Sequence, residues 1–234
     1  MPNNPYIELV KNHTKILTDT DQIYSNKSSW SKFFGDSNPL VLEIGTGLGN
    51  FFSSQVIDNP KKNFIGMEIR YKRLFKTAEK SLGNVKNNDN TQNSNPKSKV
   101  QKEIVGTRNN FVVLKDFGEN IDKIFGAGEL AETYVFFPDP WDKNDKTIKN
   151  RLVQKSFLEN LYYTTKTGGK FIFKTDHMGY FDFVLDEIKT TNWKLEFKTY
   201  DYEKEGLYDK NKITEFEQIF RGQDIKVNYL ELVK

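Results

Sequence analysis

From Leu40 onward the chain alternates between short, continuous apolar runs and amphipathic segments. LVLEI is followed by the Gly-rich break GTGLG, then NFFSSQVI, a stop at Pro60 and a second apolar run, NFIGMEI. That order predicts strand, turn, helix, strand. RYKRLFKTAEKSL places Leu74, Ala78 and Leu82 at helical spacing with charge on the other faces, predicting a helix that returns the chain across the sheet. FVVLKD from Phe111, ETYVFF and KFIFKTD read as the third, fourth and fifth strands. They are apolar without alternation, as strands covered on both faces are. Between the last two, Val153, Phe157, Leu158 and Leu161 fall at i, i+4, i+5 and i+8, with Gly168 and Gly169 as the break. Phe181, Val184, Leu185 and Ile188 predict one more helix, and WKLEFKTY and IKVNYLELV two more strands. The expected fold is a doubly wound, mostly parallel α/β sheet of seven strands with helices on both faces.

At 234 residues the chain has room for one sizeable domain. Residues 1–39 read as a partly helical N-terminal extension and 40–234 as the domain proper. Within it, residues 83–101 are rich in Asn, Ser and Lys and bury too little to offset their ordering entropy, so a mobile surface insertion is expected there. No window approaches the ~18 apolar residues of a membrane span, and the start lacks the basic and apolar regions of a secretory signal. The chain reads as soluble and cytoplasmic. With no cysteine and only His13 and His177, no metal centre is expected. The formal charge of +3 is uneven: Arg70, Lys72, Arg73, Lys76 and Lys80 face only Glu79, and Lys143, Lys146, Lys149, Arg151 and Lys155 face only Asp145. Such clusters usually form solvated helix faces, so motifs must decide whether they meet nucleic acid.

Doubly wound sheets bind ligands at the carboxyl ends of their strands. At the first strand end Glu43 precedes Gly45-Thr46-Gly47-Leu48-Gly49, where glycine permits a tight turn and close approach to a ligand. The dinucleotide fingerprint G-x-G-x-x-G carries its acid about 20 residues later, whereas here the third Gly is one place early and an acid comes first. Glu68 at the second strand end is placed to accept from both hydroxyls of an adenosine ribose. Asp116, at the third, suits either an adenine amino group or a helix cap. Three acids at successive strand ends point to a nucleoside cofactor with a cationic tail. The fourth strand ends in FFPDPWDK. Pro138 and Pro140 fix φ and cannot donate to a ladder, giving a stiff loop that presents Asp139, Trp141 and Lys143. A Pro-rich turn around a half-buried Trp is the plainer alternative.

The segments LEIGTGLGNF, FIGMEI, PDPWDK, RLVQKSFL, GGKFIFKTD and TEFEQIFRGQDI resemble, in the same order, the motifs of the tRNA (guanine-N7-)-methyltransferases. The resemblance runs from Leu40 onward apart from the Asn-rich segment. It implies a Rossmann-like methyltransferase sheet, S-adenosyl-L-methionine as cofactor, tRNA as partner, and methyl transfer to N7 of a guanosine in the variable loop. By the same resemblance the cofactor contacts fall on Glu43, Gly45, Gly47, Glu68, Asp116 and Asp139, with Glu43 answering the ammonium and Asp139 catalytic. The substrate side falls on Lys143, Asp176, Thr214, Glu215, Phe216 and Glu217. A monomer or homodimer without an obligatory partner subunit is expected. Read without the resemblance, Asp176 is a helix cap and Thr214 to Glu217 a capping box. Family members commonly follow PDPW with a Pro-Lys-Lys-Arg-His type of cluster. This chain has Asp142, Asn144 and Asp145 there, which weakens the local phosphate grip, with Lys146, Lys149 and Arg151 as compensating charge.

Two other readings compete. Exocyclic-amine methyltransferases carry Asp-Pro-Pro-Tyr at this strand end, whereas here one Pro precedes the acid and the aromatic is Trp141. A non-catalytic nucleoside-cofactor binding module would need only the first three strand ends. A catalytic triad is the weakest competitor, since there is no G-x-S-x-G and a lone His after a strand is usually a cap or surface residue, as His177 reads here.

Overall fold

A computed structural model describes residues 4–83, 108–207, 209 and 212–234. The Asn-rich insertion expected at 83–101 lies, beyond Gly83, outside the described residues. In chain order the elements are α1 (Tyr6–Lys11), β1 (Ile16–Leu17), α2 (Thr20–Ser25), α3 (Trp30–Phe34), β2 (Leu40–Ile44), α4 (Asn50–Asp58), β3 (Asn63–Met67), α5 (Tyr71–Leu82) and β4 (Phe111–Leu114). There follow α6 (Ile121–Ile124), β5 (Leu130–Phe136), α7 (Asp145–Ile148), α8 (Lys155–Thr164), β6 (Thr165–Thr175), α9 (Met178–Ile188), β7 (Lys194–Thr199), α10 (Glu215–Arg221) and β8 (Asn228–Val233).

All seven expected strands form, in the sheet order β1-β4-β3-β2-β5-β6-β8-β7. The pairs from β1 through β6 are parallel, and β8 runs antiparallel to both β6 and β7. The chain leaves β2 for β3 and β4 on one side and returns to β5 and β6 on the other, so the switch point lies between β2 and β5. The eighth strand, β1, comes from the segment before Leu40: Ile16 and Leu17 pair with Val113 and Leu114 at the sheet edge.

The unalternating apolar runs follow from burial on both faces. In β2, Leu40, Leu42 and Ile44 join the layer of α8 and α9, while Val41 joins that of α4 and α5. In β4, Val112 and Leu114 take the first side, Phe111 and Val113 the second. The α5 helix buries Leu74, Ala78 and Leu82, as its spacing predicts, but it also buries Lys76 and Lys80. Lys80 donates to Asn50 Oδ1, so the basic run Arg70 to Lys80 is not one solvated face. Arg70 and Lys72 remain exposed.

The helix α8 stops at Thr164, before the glycines expected to end it. Thr165 already pairs with Leu130, residues 166–169 loop out, and pairing resumes with Lys170 opposite Glu132. The Gly168-Gly169 pair is thus a bulge inside β6, with Gly168 at φ +73°.

Leu42, fully buried in the central strand, is the core position that tests this packing. Leu42→Ala is expected to lower unfolding free energy by about 2–5 kcal/mol, read from the denaturant midpoint at an unchanged slope.

Candidate cofactor and substrate site

Four strand ends converge on a cavity of about 600 Å³ at the switch point. Gly45 and Glu68 border it from the first two strands, Asp116 from the third, and Phe137, Pro138, Asp139 and Trp141 from the fourth. A second, smaller pocket of about 20 Å³ adjoins it, lined by Glu43, Gly45, Gly47, Thr214, Glu215 and Phe216 among others.

The turn after β2 owes its form to its glycines. Gly45 and Gly47 have φ of +81° and +57°, with open space where a Cβ would stand. Gly49, also at positive φ, is needed for a second reason, since a Cβ there would meet Thr77 Cα at 2.6 Å. The early third glycine is therefore explained by close approach of α4 to α5.

Glu43 is 4% exposed, and its Oε2 has no hydrogen-bond partner among the described residues. Burial, reinforced by the charge of Glu68, pushes its carboxyl up to about 8. Glu68 is nearly as buried but well satisfied. Its Oε2 accepts from Gly47 N at 3.2 Å, and its Oε1 from Ile69 N and Arg70 N at 2.9 and 3.0 Å. A carboxylate has about four acceptor positions, so the two ribose hydroxyls expected on Glu68 must exchange with at least one backbone N–H. Asp116 Oδ1 accepts from Phe117 N and Asn120 Nδ2, both at 2.7 Å. It organises the turn after β4 and also borders the cavity.

The prolines end β5 as expected, with Phe136 its last residue. The loop is also strained: Phe137 and Trp141 have φ of 51° and 48°, the left-handed region that non-glycine residues avoid. Four contacts hold it there. Phe137 N donates to Lys174 O at 2.8 Å, and Arg151 Nε donates to Pro140 O at 2.8 Å. Thr147 Oγ1 donates to Trp141 O at 2.8 Å, and Asp142 Oδ2 lies 2.8 Å from His177 Nε2. His177 Nδ1 accepts from Tyr180 N at the start of α9, so the proton is on Nε2 and is donated to Asp142. That hydrogen bond holds the Asp142 carboxyl below the usual range. Asn144 and Thr147 form a capping box around α7. Asp142 and Asn144, two of the residues that depart from the family pattern, therefore help fix the loop.

Arg151, expected as compensating charge for phosphate, is only 5% exposed. Its guanidinium lies over Tyr180 and Phe183, 4.7 and 4.8 Å from the ring centroids. Lys146 and Lys149 are exposed, and Lys149 borders the cavity. Asp139, Trp141 and Lys143 are also exposed.

The remaining substrate-side residues divide. Asp176 is half-buried beyond β6, and burial raises its carboxyl pKa. It does not cap α9; His177 does. Thr214 Oγ1 caps α10, accepting from Glu217 N at 3.0 Å. Glu217 does not complete a capping box: it is 1% exposed and pairs with the buried Lys174 Nζ at 3.2 Å. Lys174 also lies 3.8 Å from the Tyr202 ring centroid. Phe216 borders both pockets, with Phe220 and Phe137 near it and the Arg73 guanidinium 5.9 Å from its ring centroid. Lys174 has no signal in the sequence, because a lysine inside an apolar strand has no pattern that announces its partner; Arg73, expected as part of a basic run, lies by the Phe216 ring instead.

A protein-family profile described as a putative methyltransferase matches residues 37–230. A tRNA (guanine-N(7)-)-methyltransferase of Bdellovibrio bacteriovorus is 32% identical over 89% of this chain and 90% of its own length. The chain belongs to this methyltransferase family. The tRNA (guanine-N(7)-)-methyltransferase of Clostridioides difficile is likewise 32% identical, over 97% of this chain and 94% of its own. A bifunctional glycosyltransferase/methyltransferase of Fusobacterium nucleatum is 36% identical over 94% of this chain, which spans only 31% of that longer protein. Among solved structures, the 16S rRNA methyltransferase KamB shares the fold with a TM-score of 0.58 at 14% identity, over 88% of this chain and 93% of its own. The methyltransferase sheet thus recurs where little of the sequence does. No helix among the described residues is long and apolar enough to cross a membrane, and no group of three or more His, Cys, Asp or Glu among them could hold a metal ion.

The raised carboxyl of Glu43 has a consequence for the ligand-free protein. Between about 4.5 and about 8 the folded state holds a proton that the unfolded state has released. Stability contributed by this group therefore falls as pH rises through that window. Glu43→Gln is expected to raise the melting temperature at pH 8 and to flatten its decline from pH 6 to 8; an unchanged slope would contradict the burial of an acid here.

Proposed function

We propose that this protein transfers the methyl group of S-adenosyl-L-methionine to N7 of a guanosine in tRNA, in the variable loop by family resemblance. The observation that supports the reading most is that Asp139, on a loop held by contacts on both sides, lines the same cavity as Glu68 and Asp116. The cofactor site fits its ligand class: acids at three strand ends, glycines that leave space over the turn, and an unpartnered buried carboxylate oxygen at the far end. When bound, the sulfonium supplies an activated methyl group.

Guanine N7 has a free lone pair and carries no proton, so no general base is needed to create the nucleophile. The protein's contribution is positioning and electrostatics. Methylation places positive charge on the purine. Asp139 and Asp176 would favour that charge and accept from the guanine N1–H and amino group. Glu68 and Asp116 would hold the nucleoside part of the cofactor and Glu43 its ammonium. Lys143, Lys146, Lys149, Arg70 and Lys72 are exposed and would meet phosphate, giving an affinity that falls with salt. Thr214 and Glu217 serve the site by fixing α10.

Unmodified tRNA incubated with protein and methyl donor should become cleavable by aniline after borohydride reduction, at one guanosine. Asp139→Ala should reduce this at least about 100-fold while leaving the fold intact by circular dichroism. If the labelled product digests to an N6- or N4-methyl base, the exocyclic-amine reading replaces this one. Binding of S-adenosylhomocysteine with no transfer to tRNA would favour the non-catalytic module.

A further inference from the structure

The small pocket beside the main cavity is lined by two acids, each with a carboxylate oxygen that no described group satisfies. Glu43 Oε2 comes from the end of β2 and Glu215 Oε2 from the first turn of α10; both atoms are buried and neither has a hydrogen-bond partner among the described residues. No Lys, Arg or His side chain is among the described residues lining the pocket. Two acids with buried, unpartnered oxygens lining one small pocket without a cation are costly to keep charged. A small cation with several donors would complete the arrangement.

The position of Glu215 follows from how α10 is held. One residue before it, Thr214 caps the helix; two residues after it, Glu217 is locked to Lys174 at 3.2 Å. Held between these anchors, Glu215 lines the pocket together with Gly45 and Gly47. At about 20 Å³ the space admits roughly one water-sized or ammonium-sized group. It shares Gly45, Phe136 and Phe216 with the 600 Å³ cavity, so one ligand can occupy both.

We infer that Glu215 belongs to the cofactor side of the site, where it and Glu43 together bind the α-ammonium of the methionine part, with α10 forming the lid over that end. This reassigns Glu215 from the substrate side on which the family resemblance places it, and it rests on the cofactor reading above. An ammonium has three N–H donors, enough for both carboxylates and one further acceptor. The raised carboxyl of Glu43 supports the same picture, since a bound cation would return it to the ionised form.

Calorimetry with two ligands tests the assignment. S-adenosylhomocysteine carries the ammonium; 5′-deoxy-5′-methylthioadenosine has the nucleoside and thioether but no amino acid. Glu215→Gln is expected to weaken S-adenosylhomocysteine binding about tenfold or more and to leave methylthioadenosine binding unchanged. Glu215→Asp, which keeps the charge, should fall between wild type and Gln, and a cooperative melt with a wild-type circular dichroism spectrum confirms that both variants fold. Unchanged S-adenosylhomocysteine affinity in Glu215→Gln, with a raised KM for tRNA, would overturn the inference and return Glu215 to the substrate side. Failure of the wild-type protein to bind either nucleoside would instead remove the cofactor reading beneath it.

Discussion

The site depends on one buried cation. Arg151 reaches from the segment before α8, lays its guanidinium over Tyr180 and Phe183, and donates Nε to the carbonyl of Pro140. The loop it holds is costly in isolation: two non-glycine residues at positive φ cost on the order of 1–3 kcal/mol each. A hydrogen bond from a charged donor contributes about 1.5–3 kcal/mol, and two desolvated ring contacts add about 0.5–2 kcal/mol each. The clamp is therefore comparable to the strain it opposes. Thr147 and the His177–Asp142 pair then fix the far side of the loop. Prolines alone would stop the strand; the clamp decides where Asp139 points.

A second buried cation plays the corresponding part on the other rim. Lys174, inside β6, loses hydration that Glu217 and the Tyr202 ring partly replace, and its ammonium is held below its usual pKa by that burial. The pair joins α10 to the sheet, and α10 carries Phe216 and Glu215 to the two pockets. Lys174 also accepts, through its carbonyl, the N–H of Phe137. One strand residue thus ties the lid helix and the strained loop to the same frame.

Much of the fold was legible because both-face burial writes strands as unbroken apolar runs, and LVLEI, NFIGM, FVVL and KFIFKT say so directly. The strand ends that line the cavity followed from that topology. The two-residue β1 left no trace, since it is placed by pairing with β4 and not by any pattern of its own. The Gly168-Gly169 pair was misplaced because a bulge and a helix end favour the same residue. Charged residues misled most. Arg151, Lys76, Lys80 and Lys174 look like surface cations in the sequence, but each is buried, and for Arg151, Lys80 and Lys174 the partners that make burial tolerable lie 11 to 43 residues away. Thr214 to Glu217 read as a local capping box, yet half of that box is used over long range, by Lys174.

The measurement that bears most directly on this account is single-turnover methyl transfer by Arg151→Met and Arg151→Lys. Neither side chain can lay a planar fork against both rings while donating to Pro140 O. Misplacing a reacting group by about 1 Å costs roughly 100-fold, so both variants should lose about 10- to 100-fold in the rate of transfer while binding S-adenosylhomocysteine as wild type does. A wild-type transfer rate in a folded Arg151→Met protein would contradict the claim that this clamp positions Asp139.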